Sequence, residues 1–248
     1  MNLKLHPEHG FARVIYLGEH AMDWALDKIG SPAHESSGEE DLLAAAGIGT
    51  IVRRGKVRSY ALRLNELIIH NNRTWFGDGD IRLDALVVQG SGSKSKSDFY
   101  HPSTFSFPRV ADGEALSIGQ PGLLLYYGQP RYFLDLFLLV SRDSGNSGKL
   151  ADLLKQNVTA KELDPAVTPL LQLAMSAITA NAISLALQAA VTVGNVAYRA
   201  VQAVTSNTIG VYRVSFLQVT DNFGAGKHPE VGYLDIKDLS FKYEILAE

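Results

Sequence analysis

Residues 165–205 read PAVTPLLQLAMSAITANAISLALQAAVTVGNVAYRAVQAVT, and no charged side chain occurs in them before Arg199. Alanine and leucine dominate, both strong helix formers, so the spacing predicts a helix. Roughly forty residues at about 1.5 Å each would make a rod of about 60 Å, too long for a small domain to cover completely. Asp164-Pro165 and Thr168-Pro169 each offer an N-cap followed by proline at the first helical position, where its missing N–H costs nothing. Gln172, Ser176, Thr179, Ser184, Gln188, Thr192, Asn195, Arg199 and Gln202 recur near the helical period and form one narrow polar stripe. The stripe keeps phase across Gly194-Asn195, which favours one helix, kinked there at most, over a hairpin.

Three uses of this helix stand open. It packs as a buried element against a sheet, the usual fate of a helix that is apolar nearly all round. It forms a seam with a second copy through the small residues Ala182, Ala186, Ala189 and Ala190. Or it enters a membrane, for which its length suffices, although Gln172, Asn181, Gln188 and Asn195 are costly in lipid.

Working outward, both flanks have strand period. Upstream, Val57–His70, Ile81–Gln89, Thr104–Val110, Leu123–Tyr127 and Tyr132–Val140 alternate apolar and polar residues or run apolar between turn signals. Ile48–Val52 is a further short strand. Downstream, Ile209–Val219 and Tyr233–Ile245 do the same. Asp112-Gly113 and Gln120-Pro121-Gly122 mark turns, and Gly90–Ser97 and Ser141–Gly148 are polar loops. Lys149–Gln156 is a short helix leading to the long one. Nearer the N-terminus, Phe11–Leu17 reads as a strand, Glu19–Ile29 as a short helix, and Ser37-Gly38-Glu39-Glu40 as a capping box opening a second helix to Ala46.

The order of strands, helix and strands gives an α+β fold. We expect a single domain: an antiparallel β-sandwich of about eight strands, two short N-terminal helices, and the long Ala-rich helix inserted before the last strands. The parts are residues 1–47, the sandwich strands 48–145, the helical insertion 149–205 and the final strands 208–246.

Composition narrows function mainly by exclusion. The chain has 248 residues, 46% hydrophobic content and a net charge of −3, which fits a packed globular protein and gives no electrostatic footprint for nucleic acid. With no cysteine, disulfides, thiol chemistry and cysteine-ligated zinc are excluded. MNLKLHPEHG lacks the apolar run of a secretory signal, so the expected location is the cytoplasm, with export by a route that reads no such signal left open.

Catalytic signatures fail when written out. Gly145-Asn146-Ser147-Gly148-Lys149-Leu150 resembles a P-loop tail, but Asp143 stands where the first glycine belongs and Leu150 where a magnesium-binding hydroxyl is needed. Gly224-Ala225-Gly226 lacks the third glycine of a dinucleotide turn. His6 and His9 have metal-like spacing without a third ligand, and His228 reads as a loop residue. The expectation is therefore not an enzyme but a binding module.

One acidic constellation remains. Asp78 and Asp80 lie in Trp75-Phe76-Gly77-Asp78-Gly79-Asp80, and Asp143 and Asn146 in a second inter-strand loop. Calcium takes six to eight oxygens from loops of this kind, while Asp-Gly is also ordinary turn chemistry. The strand Val57–His70, the Asp78/Asp80 loop, and the strand Tyr132–Val140 leading into Ser141-Arg142-Asp143 together resemble a C2-type β-sandwich, over Val57–Asp143 and the last strands. That resemblance implies calcium held by Asp78, Asp80, Asp143 and Asn146, and contact of Trp75 and Phe76 with lipid or a protein partner. Read without it, the two aromatics are equally core anchors. The alternative function is that of a soluble toxin- or effector-like protein whose 169–205 helix oligomerises or inserts into membrane.

Overall fold

The structure, a computed structural model, describes residues 58–90, 99–131, 133–145, 148–158, 180–205, 207–218 and 222–248. The N-terminal strand and helices, Ile48–Val52, the His6/His9 pair, Asn146 and the helix start at Pro165 to Pro169 lie outside the described residues.

Two antiparallel sheets face each other, and helices cover the far side of one of them, which is the expected α+β sandwich. In chain order the elements are β1 (Tyr60–Ile69), β2 (Gly79–Gln89), β3 (Tyr100–Val110), β4 (Glu114–Ala115), β5 (Leu123–Gly128), β6 (Phe133–Arg142), α1 (Leu150–Val158), α2 (Ala180–Gln202), β7 (Thr208–Leu217), β8 (Gly226–His228), β9 (Leu234–Ile236) and β10 (Leu239–Ala247). Sheet A runs β4-β1-β10-β8, with β5 also on β1 and β9 also on β10; sheet B runs β3-β2-β6-β7.

Alternation of side chains places the core. Leu62, Leu64, Leu67 and Ile69 of β1 meet Ile81, Leu83, Ala85 and Val87 of β2, together with Leu134, Leu136, Leu138 and Val140 of β6, in one buried cluster between the sheets. The opposite faces of β2 and β6 are also buried. Leu86, Val88, Phe133, Phe137 and Leu139 pack beneath Leu150 and Leu154 of α1 and Ala190, Val193, Ala197, Tyr198 and Val201 of α2. Burial on both faces explains why β6 reads as a nearly continuous apolar run.

That outer face of sheet B also holds ion pairs. Arg82 and Asp84 are both buried and joined at 2.6 and 2.9 Å. Thr104 donates to Asp84 at 2.6 Å and accepts the backbone N–H of Leu150 at 2.8 Å, which ties the first turn of α1 to the sheet. Asp135, fully buried, accepts from Arg213 and Ser215 at 2.6 Å each.

Helix α2 continues through Gly194 without a turn, as the unbroken phase of the polar stripe indicates; a Cβ there would lie 2.6 Å from Cε2 of Phe137 and nearer still to Cε1 and Cζ. The glycine marks a close approach to the sheet. Three sequence readings are corrected. The expected single strand Tyr233–Ile245 is two, β9 and β10, joined by a turn at Lys237-Asp238, where Lys237 adopts a φ of 39°. β3 begins at Tyr100, ahead of Pro102, because it is an edge strand and an edge tolerates proline. His228 belongs to β8 and is buried, stacked on Tyr243 with ring centroids 4.8 Å apart and bonded through Nε2 to the carbonyl of Gly224 at 2.6 Å.

Candidate functional site

The loop between β1 and β2 must reverse the chain from one sheet to the other, and Asn72 organises it. Its side chain is buried. Nδ2 donates to the carbonyls of Gly77 at 3.0 Å and Val110 at 2.9 Å, while Oδ1 accepts from the N–H and the hydroxyl of Thr74 at 2.8 and 2.6 Å. Such self-bonded asparagine is how a short loop replaces ladder hydrogen bonds. The N–H of Asn72 donates to Asp112 at 2.7 Å.

Arg73 fixes the other side. It occupies the left-handed region at φ 56°, which a non-glycine residue adopts at a cost and holds only where the surroundings enforce it. Its guanidinium donates to Asp238 at 2.8 and 2.6 Å, and its carbonyl accepts from Arg142 at 3.2 Å. The loop is thus anchored to the β9–β10 turn, to β3 and to β6.

What this braced loop displays is aromatic. Trp75 is 90% exposed and Phe76 85% exposed, with ring centroids 6.3 Å apart in an edge-to-face arrangement. The reading of them as core anchors fails: the core between the sheets closes without them. Two large rings held in water on an ordered loop constitute an unsatisfied apolar surface.

The acidic residues gather at the same end. Asp78 is exposed in the loop. Asp80 is in β2 and Asp143 lies one residue past the end of the neighbouring β6, with the N–H of Asp143 donating to the carbonyl of Asp80 at 2.8 Å. Their carboxylates accept from protein groups: Asp80 from the N–H of Arg109 at 2.9 Å, Asp143 from Ser106 at 3.1 Å and from the N–H of Gly145 at 3.2 Å. Among the described residues no group of three or more His, Cys, Asp or Glu is placed to hold a metal ion. Asn146, the fourth ligand expected from sequence, lies outside the described residues.

Sequence reading missed the residues that shape this site. Asn72 and Arg73 are ordinary loop residues by composition, and their roles depend on Val110, Asp112, Arg142 and Asp238, which are distant in sequence. Nearby, His70 Nε2 and Ser240 Oγ lie 3.0 Å apart. Ser240 is buried within β10 and the adjacent Asp238 is bonded to Arg73, so the pair lacks the exposed nucleophile and carboxylate-oriented base of a hydrolase.

The long helix is accounted for over its last turns, where Ala190, Val193, Ala197, Tyr198 and Val201 are buried against sheet B. No helix among the described residues is long and apolar enough to cross a membrane. Compared with known proteins, the sequence matches no family model and no curated protein.

Proposed function

We propose that the protein is a non-catalytic binding module that engages a lipid surface through the loop 71–78. The observation that carries this reading is the exposure of Trp75 and Phe76 on a loop clamped by Asn72 and Arg73. Tryptophan favours the bilayer interface, where its ring is buried and its N–H stays wet. Burying an aromatic side chain of 150–250 Å² contributes roughly 4–6 kcal/mol at about 25 cal/mol per Å². Two such rings offset the cost of association without much excess, so binding is reversible. Because the loop is already ordered, little further ordering cost falls on the binding step.

Asp78, Asp80 and Asp143 lie at the same end but are not placed to share an ion, so a C2-type use of them, with calcium bridging carboxylates to lipid phosphate, would need these side chains to close together on binding and would add to the aromatic contact. The reading does not use the 169–205 helix, whose described end is seated on sheet B.

The test is flotation with phosphatidylcholine vesicles and with vesicles containing phosphatidylserine, each in calcium and in EDTA. Wild-type protein floats, and Trp75→Ala/Phe76→Ala abolishes flotation while leaving the melting temperature unchanged, since both side chains are exposed. Asp78→Asn/Asp80→Asn removes only the calcium-dependent part. Failure of the wild type to float in every condition, or unchanged flotation of the aromatic variant, overturns the proposal.

A further inference from the structure

A membrane offers more than one headgroup, and the charges around Trp75 and Phe76 distinguish among them. Arg73 and Asp238 form an ion pair and cancel. The remaining charges at this end carry both signs, with Arg109, Arg142 and Lys237 standing among Asp78, Asp80, Asp112 and Asp143. Carboxylates outnumber cations, and the chain as a whole has a net charge of −3. Among the described residues, then, no basic patch draws this end to an anionic membrane, for which clustered Lys and Arg are the usual device. Without a divalent cation, the lipid that matches is zwitterionic.

Two of the cations are set out for contact. Arg109 and Lys237 are exposed, and both hold left-handed backbone, at φ 52° and 39°. Neither side chain has a hydrogen bond or ion pair among the described residues. Arg109 lies in a bulge, where Pro108 and Arg109 together face Asp80 between the pairs Gly79–Val110 and Ile81–Phe107. It adjoins Val110, whose carbonyl holds Asn72, while Lys237 adjoins Asp238, whose carboxylate holds Arg73. The two cations thus flank the base of the aromatic loop from opposite sheets.

The rings suit the other half of a zwitterion. Their planes meet at 64° with centroids 6.3 Å apart, so a cation in the angle between them can lie within about 6 Å of both, the range in which a ring face attracts it. A primary ammonium has three N–H donors that must stay solvated. A trimethylammonium has none to lose, and its methyl groups pack on the rings, which is how aromatic cages hold quaternary ammonium ions.

We propose, on the premise that loop 71–78 meets a lipid surface, that it selects the phosphocholine headgroup. The trimethylammonium rests against Trp75 and Phe76, and Arg109 and Lys237 reach the phosphates of neighbouring headgroups.

The test is flotation in EDTA, which removes any part played by calcium. Vesicles of phosphatidylcholine are compared with vesicles in which half of it is replaced by phosphatidylethanolamine or by phosphatidylserine. Wild-type protein binds each mixture about half as tightly, in proportion to the phosphatidylcholine that remains. Trp75→Leu/Phe76→Leu keeps an apolar loop without rings, so it still floats but binds phosphatidylcholine and the ethanolamine mixture alike. Its ratio also serves as the reference that cancels any effect of vesicle packing, and circular dichroism verifies its fold. Equal binding of wild type to phosphatidylcholine and the ethanolamine mixture, tighter binding to the serine mixture, or a leucine variant that keeps the preference overturns the headgroup selection and leaves lipid binding standing. A wild type that floats on none of the vesicles overturns both.

Discussion

Replacing Gly194 with alanine separates the close-approach reading of α2 from ordinary helix propensity. In an unobstructed helix the change stabilises by about 1 kcal/mol. Here the new methyl would lie 2.6 Å from Cε2 of Phe137 and closer to two more ring carbons. Nor is the ring free to swing away, because the Arg213 guanidinium sits 5.1 Å from its centroid and is itself bonded to buried Asp135. Overpacking of this kind costs about 1–3 kcal/mol, and overlap with three ring carbons belongs in the upper half of that range. Less the helix gain, Gly194→Ala should destabilise by about 1–2 kcal/mol, a fall in melting temperature of about 2–8 °C for a chain of this size. Urea unfolding followed by circular dichroism measures it, with an unchanged m-value showing that only stability moved. The same substitution in a Phe137→Leu background should cost nothing or stabilise, since the obstructing ring is gone. Stabilisation by Gly194→Ala in the wild type, or an equal cost in both backgrounds, would refute the reasoning.

Removing the carboxylate in Asp84→Ala strands a buried guanidinium and should cost about 3–5 kcal/mol, whereas Arg82→Met/Asp84→Leu, which removes both charges, should cost much less; chemical denaturation compares them. Burial holds the phenols of Tyr126 and Tyr243 above the ordinary value of 10.0, Tyr243 further still through Tyr212. The native state then keeps protons that the unfolded chain has lost, so stability falls as pH rises above 10.0, by about 1.4 kcal/mol per pH unit for each group, which denaturation at a series of alkaline pH values will show. Asn72→Ala removes the side-chain donor to the carbonyl of Val110, the acceptor for the N–H of Thr74 and one of the two donors to the carbonyl of Gly77, which keeps the Thr74 hydroxyl; at about 1 kcal/mol per bond we expect a loss of about 2–4 kcal/mol and weaker flotation with Trp75 intact.

Much of the architecture was legible because burial writes itself as period. Val57–His70, Ile81–Gln89, Leu123–Tyr127 and Tyr132–Val140 each fall on an observed strand within a few residues. The polar stripe Thr192, Asn195, Arg199 and Gln202 lies off the buried face of α2. What escaped were elements too short for a period to develop. β4, β8 and β9 run two or three residues each and exist because β1 and β10 offer open ladder positions. Gly194 read as a candidate kink because its partner, Phe137, is far away in sequence. At the candidate site, Trp75, Phe76, Asp78 and Asp80 were visible as residue types beside a turn. Their exposure was not, since an aromatic pair in a loop is as compatible with burial until the core is seen to close without it.

The pairing of β1 with β10 runs the full length of both strands, from Tyr60 opposite Ala247 to Ile69 opposite Leu239, and the N–H of Glu248 donates to the carbonyl of Ser59 at 2.8 Å. A ribosome delivers these partners at opposite ends of this stretch of chain. Among the described strands, until residue 239 emerges β1 has only β4 and β5 beside it, and β8 and β9 lack the strand they pair with. Between the emergence of residue 69 and that of residue 239 a nascent chain therefore carries a strand with one side open, the state in which strands recruit wrong neighbours. Stopping the chain before Leu239 should therefore cost soluble product sharply, because one side of this sheet waits on a strand more than a hundred residues downstream of β1.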